Sequence, residues 1–355
     1  MEFFDTPEQE ALRDALRSFT RKHATPERVR AAMASQTGID EAAWKSLSND
    51  LGLLGLAVPE SVGGAGAGFA EVTVAVEELG RVLLPSPYAS SALVVLLLAE
   101  SVAPLAEELL PGLADGSLVG APAWHADLSV GADGSLTGTA GNVVDGAAAD
   151  VFLIAMGRDL LAVRASAVTV TPQPTLDQTR PQASLRLDAA PAVRVGESAR
   201  ALALHRVLTA AECLAGAEHC LDVTVGYLKT REQFGRPIGS FQALKHRCAD
   251  LAVEVAAARS AVRAAVWTAA LPEHAHPEQA RPEVSLAALA PLAALVASRT
   301  FTRVTGEMIQ LHGGIGFTWE HEAHLYFKRA KSSQLLLGSD TALRAEIGRV
   351  AGLLR

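Results

Sequence analysis

The stretch that decides the fold reads Arg231-Glu232-Gln233-Phe234-Gly235-Arg236-Pro237-Ile238-Gly239 and continues into Phe241-Gln242. A second stretch, further along the chain, reads Gln310-Leu311-His312-Gly313-Gly314-Ile315-Gly316-Phe317-Thr318. The first offers a permanent cation, an aromatic ring and amide side chains where two helical patterns meet. The second offers two backbone positions without a Cβ, close to another amide. These groups suit a diphosphate and a purine better than a packed core.

Composition bounds the class of protein. The chain has 355 residues, 49% of them hydrophobic and 20% charged, so it can bury a large core and is too apolar for intrinsic disorder. Its net charge of −8 argues against a nucleic-acid partner. No stretch approaches the ~20 apolar residues of a membrane span. Cys213, Cys220 and Cys248 lack CxxC spacing, so we expect reduced core thiols in a cytoplasmic protein.

The pattern of the chain changes twice. Helical patterns come first and begin with the capping signature Thr6-Pro7-Glu8-Gln9. Short β-like runs broken by Gly, Asp and Pro follow, and then long helical patterns return. The predicted fold is therefore α+β, with an N-terminal α-helical domain (1–117), a small middle β-sandwich or barrel (118–197) and a C-terminal four-helix bundle (198–355). The Pro-containing stretch 271–282 is predicted to connect two bundle helices.

With these motifs the chain resembles the acyl-CoA dehydrogenases over nearly its whole length. The resemblance is carried by the region from Leu51 to Glu60, by Arg231–Gln242 and by Gln310–Phe317. The extension Trp319–Tyr326 resembles the actinobacterial members that act on sterols and other bulky acyl-CoA substrates. The family implies a flavoprotein oxidoreductase that desaturates an acyl-CoA thioester between its α and β carbons, in lipid metabolism or steroid degradation. It also implies an electron-transfer flavoprotein, or a similar acceptor, as a partner.

The resemblance also implies an FAD site shared between two subunits. In the family the isoalloxazine is held mainly by one subunit, and the ADP half is held by the other. The ADP half is bound through the Arg-x-x-Phe-Gly and Gln-x-x-Gly-Gly stretches. The residues that the resemblance assigns to FAD are Arg231, Gln233, Phe234, Gln242, Gln310, Gly313 and Gly314.

The physical chemistry of these residues agrees with that assignment. Arg231 is a planar, permanent cation that matches a pair of pyrophosphate oxygens. Gln233 and Gln242 can hydrogen-bond diphosphate or ribitol oxygens, and Gln310 can hydrogen-bond an adenine or ribose edge. Phe234 can pack against the cofactor, and the glycine pair allows close approach of the backbone.

The catalytic base of the family is missing from its usual positions. Most members carry a glutamate just before a glycine late in the bundle, and the matching residue here is Leu337, followed by Gly338. Other members use a glutamate early in the first bundle helix, and that position falls at His205. His205 is a candidate base, because an imidazole titrates near pH ~6.5, or it fills vacated space. Asp340 would need a local shift to act, and Glu212 lies too deep in the bundle.

The residues that clamp the flavin ring in the family are also replaced. The family's Trp-x-Thr clamp aligns with Asn142–Gly146, which has neither an aromatic ring nor a hydroxyl. An upstream stretch that touches the flavin aligns with Ala123–Asp127, where Trp124 could substitute for the missing indole.

Three hypotheses remain open. In the first, the chain is the non-catalytic member of a heteromer, such as an α2β2 assembly with a second acyl-CoA dehydrogenase subunit. In the second, it is a self-sufficient, homo-oligomeric flavoenzyme that uses His205 or an acidic residue as its base. In the third, it is a binding or scaffolding protein without a redox role. The histidines His312, His321 and His324 do not form an HExxH motif, so no metal is expected.

Overall fold

The structure, a computed structural model, describes residues 5–271 and 285–353. The predicted surface connection 271–282 lies outside these residues except for its first position. Among the described helices, none combines the length and the apolar character needed to traverse a bilayer.

Six helices form the N-terminal part of the described chain. The first is capped as predicted: the Thr6 amide donates to Oε1 of Gln9 (3.1 Å), and the Gln9 amide donates to Oγ1 of Thr6 (3.3 Å). These helices are α1 Pro7–His23, α2 Pro26–Met33, α3 Glu41–Asn49, α4 Phe69–Arg81, α5 Tyr88–Ala99 and α6 Pro104–Ala114.

Eight strands follow, in two four-stranded sheets ordered β1-β4-β5-β8 and β2-β3-β7-β6. They are β1 Gly120–Ala123, β2 His125–Val130, β3 Leu136–Val144, β4 Val151–Met156, β5 Asp159–Arg164, β6 Val168–Gln173, β7 Gln182–Ala190 and β8 Val193–Glu197. Phe152 of β4 and Leu136 of β3 are fully buried in one apolar core to which both sheets contribute. The middle part is therefore a β-sandwich.

The C-terminal part is helical, with a short hairpin between its first two helices. Its elements are α7 Ser198–Thr230, β9 Glu232–Gln233, β10 Arg236–Pro237, α8 Gln242–Ala270, α9 Leu286–His312, α10 Ala323–Leu337 and α11 Asp340–Val350. Helix α9 packs against α8, α10 and α11, so it forms the centre of the bundle. The order of helices, strands and helices confirms the predicted α+β class.

The described chain forms two compact units that alternate along the sequence. One comprises residues up to Thr20, Thr73–Leu83 and the chain from Arg206 onward, which includes the bundle. The other comprises Arg21–Val72 and Leu84–His205, which includes both sheets.

Charged residues hold the interior of the helical unit together. Arg13 of α1 pairs with Glu77 (2.9 Å) and Glu78 (2.7 Å) of α4, and Arg263 of α8 also reaches Glu77 (3.3 Å). Burial raises the pKa of Glu77, although the two arginines oppose this shift. A second buried pair joins Glu212 of α7 to Arg329 of α10. Removal of one partner from such a pair is strongly destabilising.

A glycine makes room for that second pair. A Cβ at Gly80 of α4 would overlap the side chain of Glu212. We therefore expect Gly80→Ala to displace Glu212 from Arg329 and to lower the free energy of unfolding by about 1–3 kcal/mol. Gly306→Ala in α9 is the matched control, since its added Cβ meets no atom and the change should raise helix stability by up to about 1 kcal/mol. Chemical denaturation of both variants measures the difference, and equal stabilities would contradict the close contact.

Candidate functional site

The arginine stretch forms an exposed hairpin with a strained tip. Gln233 pairs with Arg236 across the two strands, which leaves Phe234 and Gly235 as the turn. Both turn residues have positive φ angles, +54° for Phe234 and +75° for Gly235. A bulky side chain is unfavourable at such a φ, with a cost of about 1–3 kcal/mol. The Phe234 residue is nevertheless 90% exposed, so the chain itself gives the ring little burial in return.

A second aromatic side chain lies at the base of the hairpin. The ring of Phe241 meets Phe234 edge to face at 6.1 Å, and the Arg236 guanidinium stacks over Phe241 at 4.1 Å. Arg236 is thereby held on a ring, whereas Arg231 is exposed and makes no ion pair among residues 5–271 and 285–353. Arg231 is thus the hairpin cation that is available to an external anion.

The glycine stretch forms a turn at the end of α9. Helix α9 ends at His312, and Gly313 follows with φ +63° and ψ −139°, a conformation that only glycine adopts readily. The next residues form a 3₁₀ helix, Gly313–Phe317. Both Gly313 and Gly314 are exposed, and a Cβ at either would meet no other atom. Only Gly313 therefore requires glycine for the fold, and Gly314 leaves backbone open to solvent.

Helix packing brings the two stretches to the same end of the bundle. Arg247 of α8 pairs with Glu307 of α9 at 2.5 Å, and Glu254 of α8 pairs with Arg303 of α9 at 3.0 Å. This pairing makes the helices antiparallel, so the start of α8 lies beside the end of α9. Gln242, the first residue of α8, and Gln310, near the end of α9, are both exposed there.

The end of α7 joins this arrangement through Tyr227. Its hydroxyl donates to the His312 carbonyl (3.3 Å), and its ring stacks on the imidazole of His312 at 4.4 Å. Tyr227 belongs to neither of the two sequence stretches and was not among the predicted functional residues. Its position one helical turn before Arg231 was the available signal.

All seven residues assigned to FAD are exposed. Among the side-chain hydrogen bonds of the described residues, the Gln233 amide group donates to the neighbouring Glu232 carbonyl (2.9 Å). An exposed arginine without an acidic partner, a glycine turn with open backbone and nearby amides fit a dinucleotide diphosphate. The residues present thus fit the ADP half of FAD.

The two positions that the resemblance assigns to the family's base hold a leucine and a histidine. Leu337 is 3% exposed and packs against Ala294, Leu295, Leu343 and Ile347. This position is apolar and cannot accept a proton.

His205 lies against an indole. The ring of Trp124, between β1 and β2, sits 4.9 Å from the His205 ring at an interplanar angle of 34°. The Nε1 atom of Trp124 is buried and has no hydrogen-bond partner in the described part of the chain. The two rings are therefore in contact at a tilt, and the indole packs against the imidazole.

The two other candidate bases are paired with arginines. Asp340 at the start of α11 lies 3.5 Å from Nη1 of Arg299, and Glu212 forms the buried pair with Arg329. Each carboxylate therefore has an arginine partner, which favours a structural role for both.

The segment aligned with the flavin clamp runs from the end of β3 into a turn that begins at Asp145. Asn142 and Asp145 have positive φ angles, +54° and +58°. The Asp145 carboxylate accepts a buried hydrogen bond from Ser90 (2.6 Å), and its amide donates to the Pro181 carbonyl (2.9 Å). Asp145 thus ties α5 to the sandwich.

The three histidines weighed for a metal face different partners. The rings of His312 and His321 are 4.5 Å apart, whereas His324 meets the ring of Trp319 at 4.6 Å. Over the described ranges, no group of three or more His, Cys, Asp or Glu side chains is arranged to hold a metal ion.

Comparison with known proteins gives matches to two family models. The acyl-CoA dehydrogenase N-terminal domain matches residues 6–117, and the acyl-CoA dehydrogenase C-terminal domain matches residues 197–352.

Individual proteins match over almost the whole chain. Acyl-CoA dehydrogenase IpdE2 of Mycolicibacterium smegmatis is 40% identical over 93% of this chain and 94% of its own. The ChsE4-ChsE5 complex from Mycobacterium tuberculosis contains a chain of 29% identity and TM-score 0.88, with both chains fully covered. A variant of the Tcur3481-Tcur3483 steroid ACAD is 31% identical with TM-score 0.87, over 97% of this chain and 98% of its own.

Substitution of the two neighbouring glycines distinguishes an effect on stability from an effect on binding. We expect Gly313→Ala to destabilise the fold by about 1–3 kcal/mol because of its φ and ψ angles. Gly314→Ala should leave thermal stability unchanged, because the added Cβ meets no other atom of the chain. It should weaken the binding of ADP, because the Cβ would project from the exposed backbone that is expected to contact the ligand. Thermal melts and calorimetric titration with ADP measure the two effects. A loss of stability in both variants, with equal ADP affinity, would contradict this assignment.

Proposed function

The chain belongs to the acyl-CoA dehydrogenase family, and we propose that it is the non-catalytic subunit of a heteromeric enzyme. The family consists of FAD-dependent oxidoreductases that act on CH–CH bonds. The observation that carries the proposal is Leu337, which is packed among apolar side chains where most members place the glutamate base. Abstraction of the α-proton needs an acceptor within reach of the substrate, and leucine has none.

The residues that would serve a neighbouring subunit are intact. Arg231 would pair with the pyrophosphate, and the backbone of Gly313 and Gly314 would line the ADP half, with Gln233, Gln242 and Gln310 as amide partners. When bound, FAD supplies the hydride acceptor for the desaturation. The exposure of all these residues supports a role across a subunit boundary, because each would be covered on assembly.

The packing of His205 argues against the second hypothesis. A general base needs a free path to the proton that it removes, and the His205 ring packs against the Trp124 ring with 4.9 Å between the ring centroids.

The relatives support the heteromer and the substrate class. Two structures that match nearly the whole of both chains, with TM-scores of 0.87 and 0.88, are named for pairs of proteins, and one of them is called a steroid ACAD. We propose by analogy that this chain pairs with a second acyl-CoA dehydrogenase subunit, in an α2β2 assembly. Its substrate would be a bulky acyl-CoA, such as a thioester of a steroid fragment, and an electron-transfer flavoprotein or similar protein would accept the electrons.

Co-expression with a partner chain tests the proposal. The partner should carry both the aromatic flavin clamp and a glutamate base. We expect a stable complex with bound flavin, in which replacement of the partner's glutamate by glutamine abolishes turnover. His205→Gln in this chain should leave kcat unchanged. Full flavin occupancy and turnover by this chain alone would refute the proposal. A complex without flavin absorbance after gel filtration would favour a scaffolding role.

Arg231 gives a quantitative prediction for the complex. Loss of a bidentate, charge-assisted contact to a diphosphate is worth about 1.5–3 kcal/mol, so Arg231→Ala should weaken FAD binding roughly tenfold to a hundredfold. Arg344→Ala is the control, because Arg344 is also an exposed arginine, on α11. Fluorescence titration of the flavin-stripped complex with FAD compares the two. Equal affinities would remove Arg231 from the cofactor site.

Leu337 gives a prediction about the lost base. Leu337→Glu would bury a carboxylate among apolar groups, and we expect it to destabilise the chain by several kcal/mol, on the order of 2–5. Leu337→Met conserves volume and should cost less than about 1.5 kcal/mol. Denaturation midpoints measure both. A glutamate tolerated without loss of stability would show that the position opens to solvent or substrate.

A further inference from the structure

Three aromatic side chains from three elements, called the stack below, are in contact at the end of α9: Tyr227 is stacked on His312, and His321 meets His312 at a tilt. His312, the last residue of α9, is buried between two rings. Tyr227, from the last turn of α7, stacks on it at 4.4 Å and 25°, and His321, which precedes α10, meets it at 4.5 Å and 53°. A single imidazole therefore joins the ends of two helices to the segment before a third.

Hydrogen bonds extend this stack to both cofactor stretches. The amide of Arg231 donates to the Tyr227 carbonyl (2.8 Å), and the Tyr227 hydroxyl donates to the His312 carbonyl (3.3 Å). The Nδ1 atom of His312 lies 2.7 Å from the Met308 carbonyl. A carbonyl can only accept, so Nδ1 carries a proton and the neutral ring has its lone pair on Nε2. His312 itself directly precedes Gly313.

We propose that Tyr227 and His312 are positioning residues that hold the Arg231 hairpin and the Gly313 turn in one fixed geometry for a diphosphate. The inference rests on the proposed binding of the ADP half of FAD by these two stretches. Tyr227 sets the start of the hairpin, since it is four residues before Arg231 on the same helical ladder. His312 sets the start of the turn. Contact between the two rings couples the cation to the open backbone, and neither residue needs to touch the cofactor.

Because the stack contains two titratable imidazoles, its effect on cofactor binding should depend on pH, which simple packing would not. Burial lowers the pKa of His312, opposed by its bond to the Met308 carbonyl and by Glu322. Burial also lowers the pKa of His321, with contributions from His312 and His324, again opposed by Glu322. From α7, Tyr227 and His219 face this group, and Nε2 of His219 lies 3.6 Å from Glu322.

The sign of the pH dependence follows from these shifts. Both folded-state pKa values lie below the ordinary value of 6.5, so the fold favours the neutral rings. The contribution of the stack is complete above about pH 6.5 and is lost as the pH falls toward the folded-state values. Two imidazolium rings 4.5 Å apart also repel each other. Cofactor retention should therefore weaken on acidification.

The experiment follows FAD release from the heteromer by flavin fluorescence between pH 5.5 and 8. For the wild-type complex we expect release to become faster as the pH falls below about 6.5. His312→Phe retains an aromatic ring without a titrating group, so its release rate should vary much less with pH. Tyr227→Leu removes the stack and should accelerate release about tenfold at every pH, and Tyr227→Phe should have a smaller effect in the same direction. Trp267→Leu, near the far end of α8, is the control for loss of an aromatic ring.

Arg231→Ala separates failure of this inference from failure of the proposed function. If Arg231→Ala leaves FAD release unchanged, the stretches do not bind the cofactor and the proposed function fails. If Arg231→Ala accelerates release while Tyr227→Phe and His312→Phe match the wild type at every pH, the positioning role is overturned. Thermal melts at pH 8 show which variants fold, and the two phenylalanine variants decide the question if Tyr227→Leu does not.

Discussion

The antiparallel packing of α8 against α9 is the constraint on which the candidate site depends. Arg247–Glu307 and Glu254–Arg303 fix the direction of the two helices. Because α8 begins just after the arginine hairpin and α9 ends just before the glycine turn, this one packing arrangement places both stretches at the same end of the bundle. Tyr227 then adds the end of α7 through its contact with His312. The two motifs are distant in the sequence, but they lie together at one end of the bundle.

The side chains on that surface are exposed to solvent and are available to bind a partner. Phe234 leaves most of its ring in water at a strained φ, and Arg231 has no acidic partner in the described residues. The strained and exposed Phe234 is unfavourable for an isolated chain, whereas a hydrated Arg231 is not, and both gain contacts when a dinucleotide or a second subunit covers them. We interpret the surface as one half of a cofactor site that two chains share.

In contrast, the two positions that the resemblance assigns to the base are packed against apolar or aromatic groups. Leu337 lies in an apolar cluster, and His205 lies against an indole. A buried carboxylate at Leu337 would require desolvation of a charge, and leucine instead adds packing. In the proposed heteromer, loss of the base from this chain would be tolerable, because the partner would retain it. Division of labour between chains therefore allows one of them to gain stability at positions that a self-sufficient enzyme must keep polar.

The sequence by itself determined the family, the α+β class and the capped first helix, because these depend on periodicity, local capping and short motifs. It also showed that residues 205 and 337 are not carboxylates. The β-like runs recognised in the sequence lie between residues 135 and 187, so β1, β2 and β8 fall outside them, and β2 and β8 are largely exposed and lack an apolar run. Only the tertiary structure decided that Tyr227 stacks on His312, that Trp124 packs against His205 and that Gly313, but not Gly314, is required by its backbone angles. The two ring contacts join residues far apart in the chain, and the requirement for glycine depends on backbone torsion angles. Local sequence patterns encode neither long-range contacts nor torsion angles.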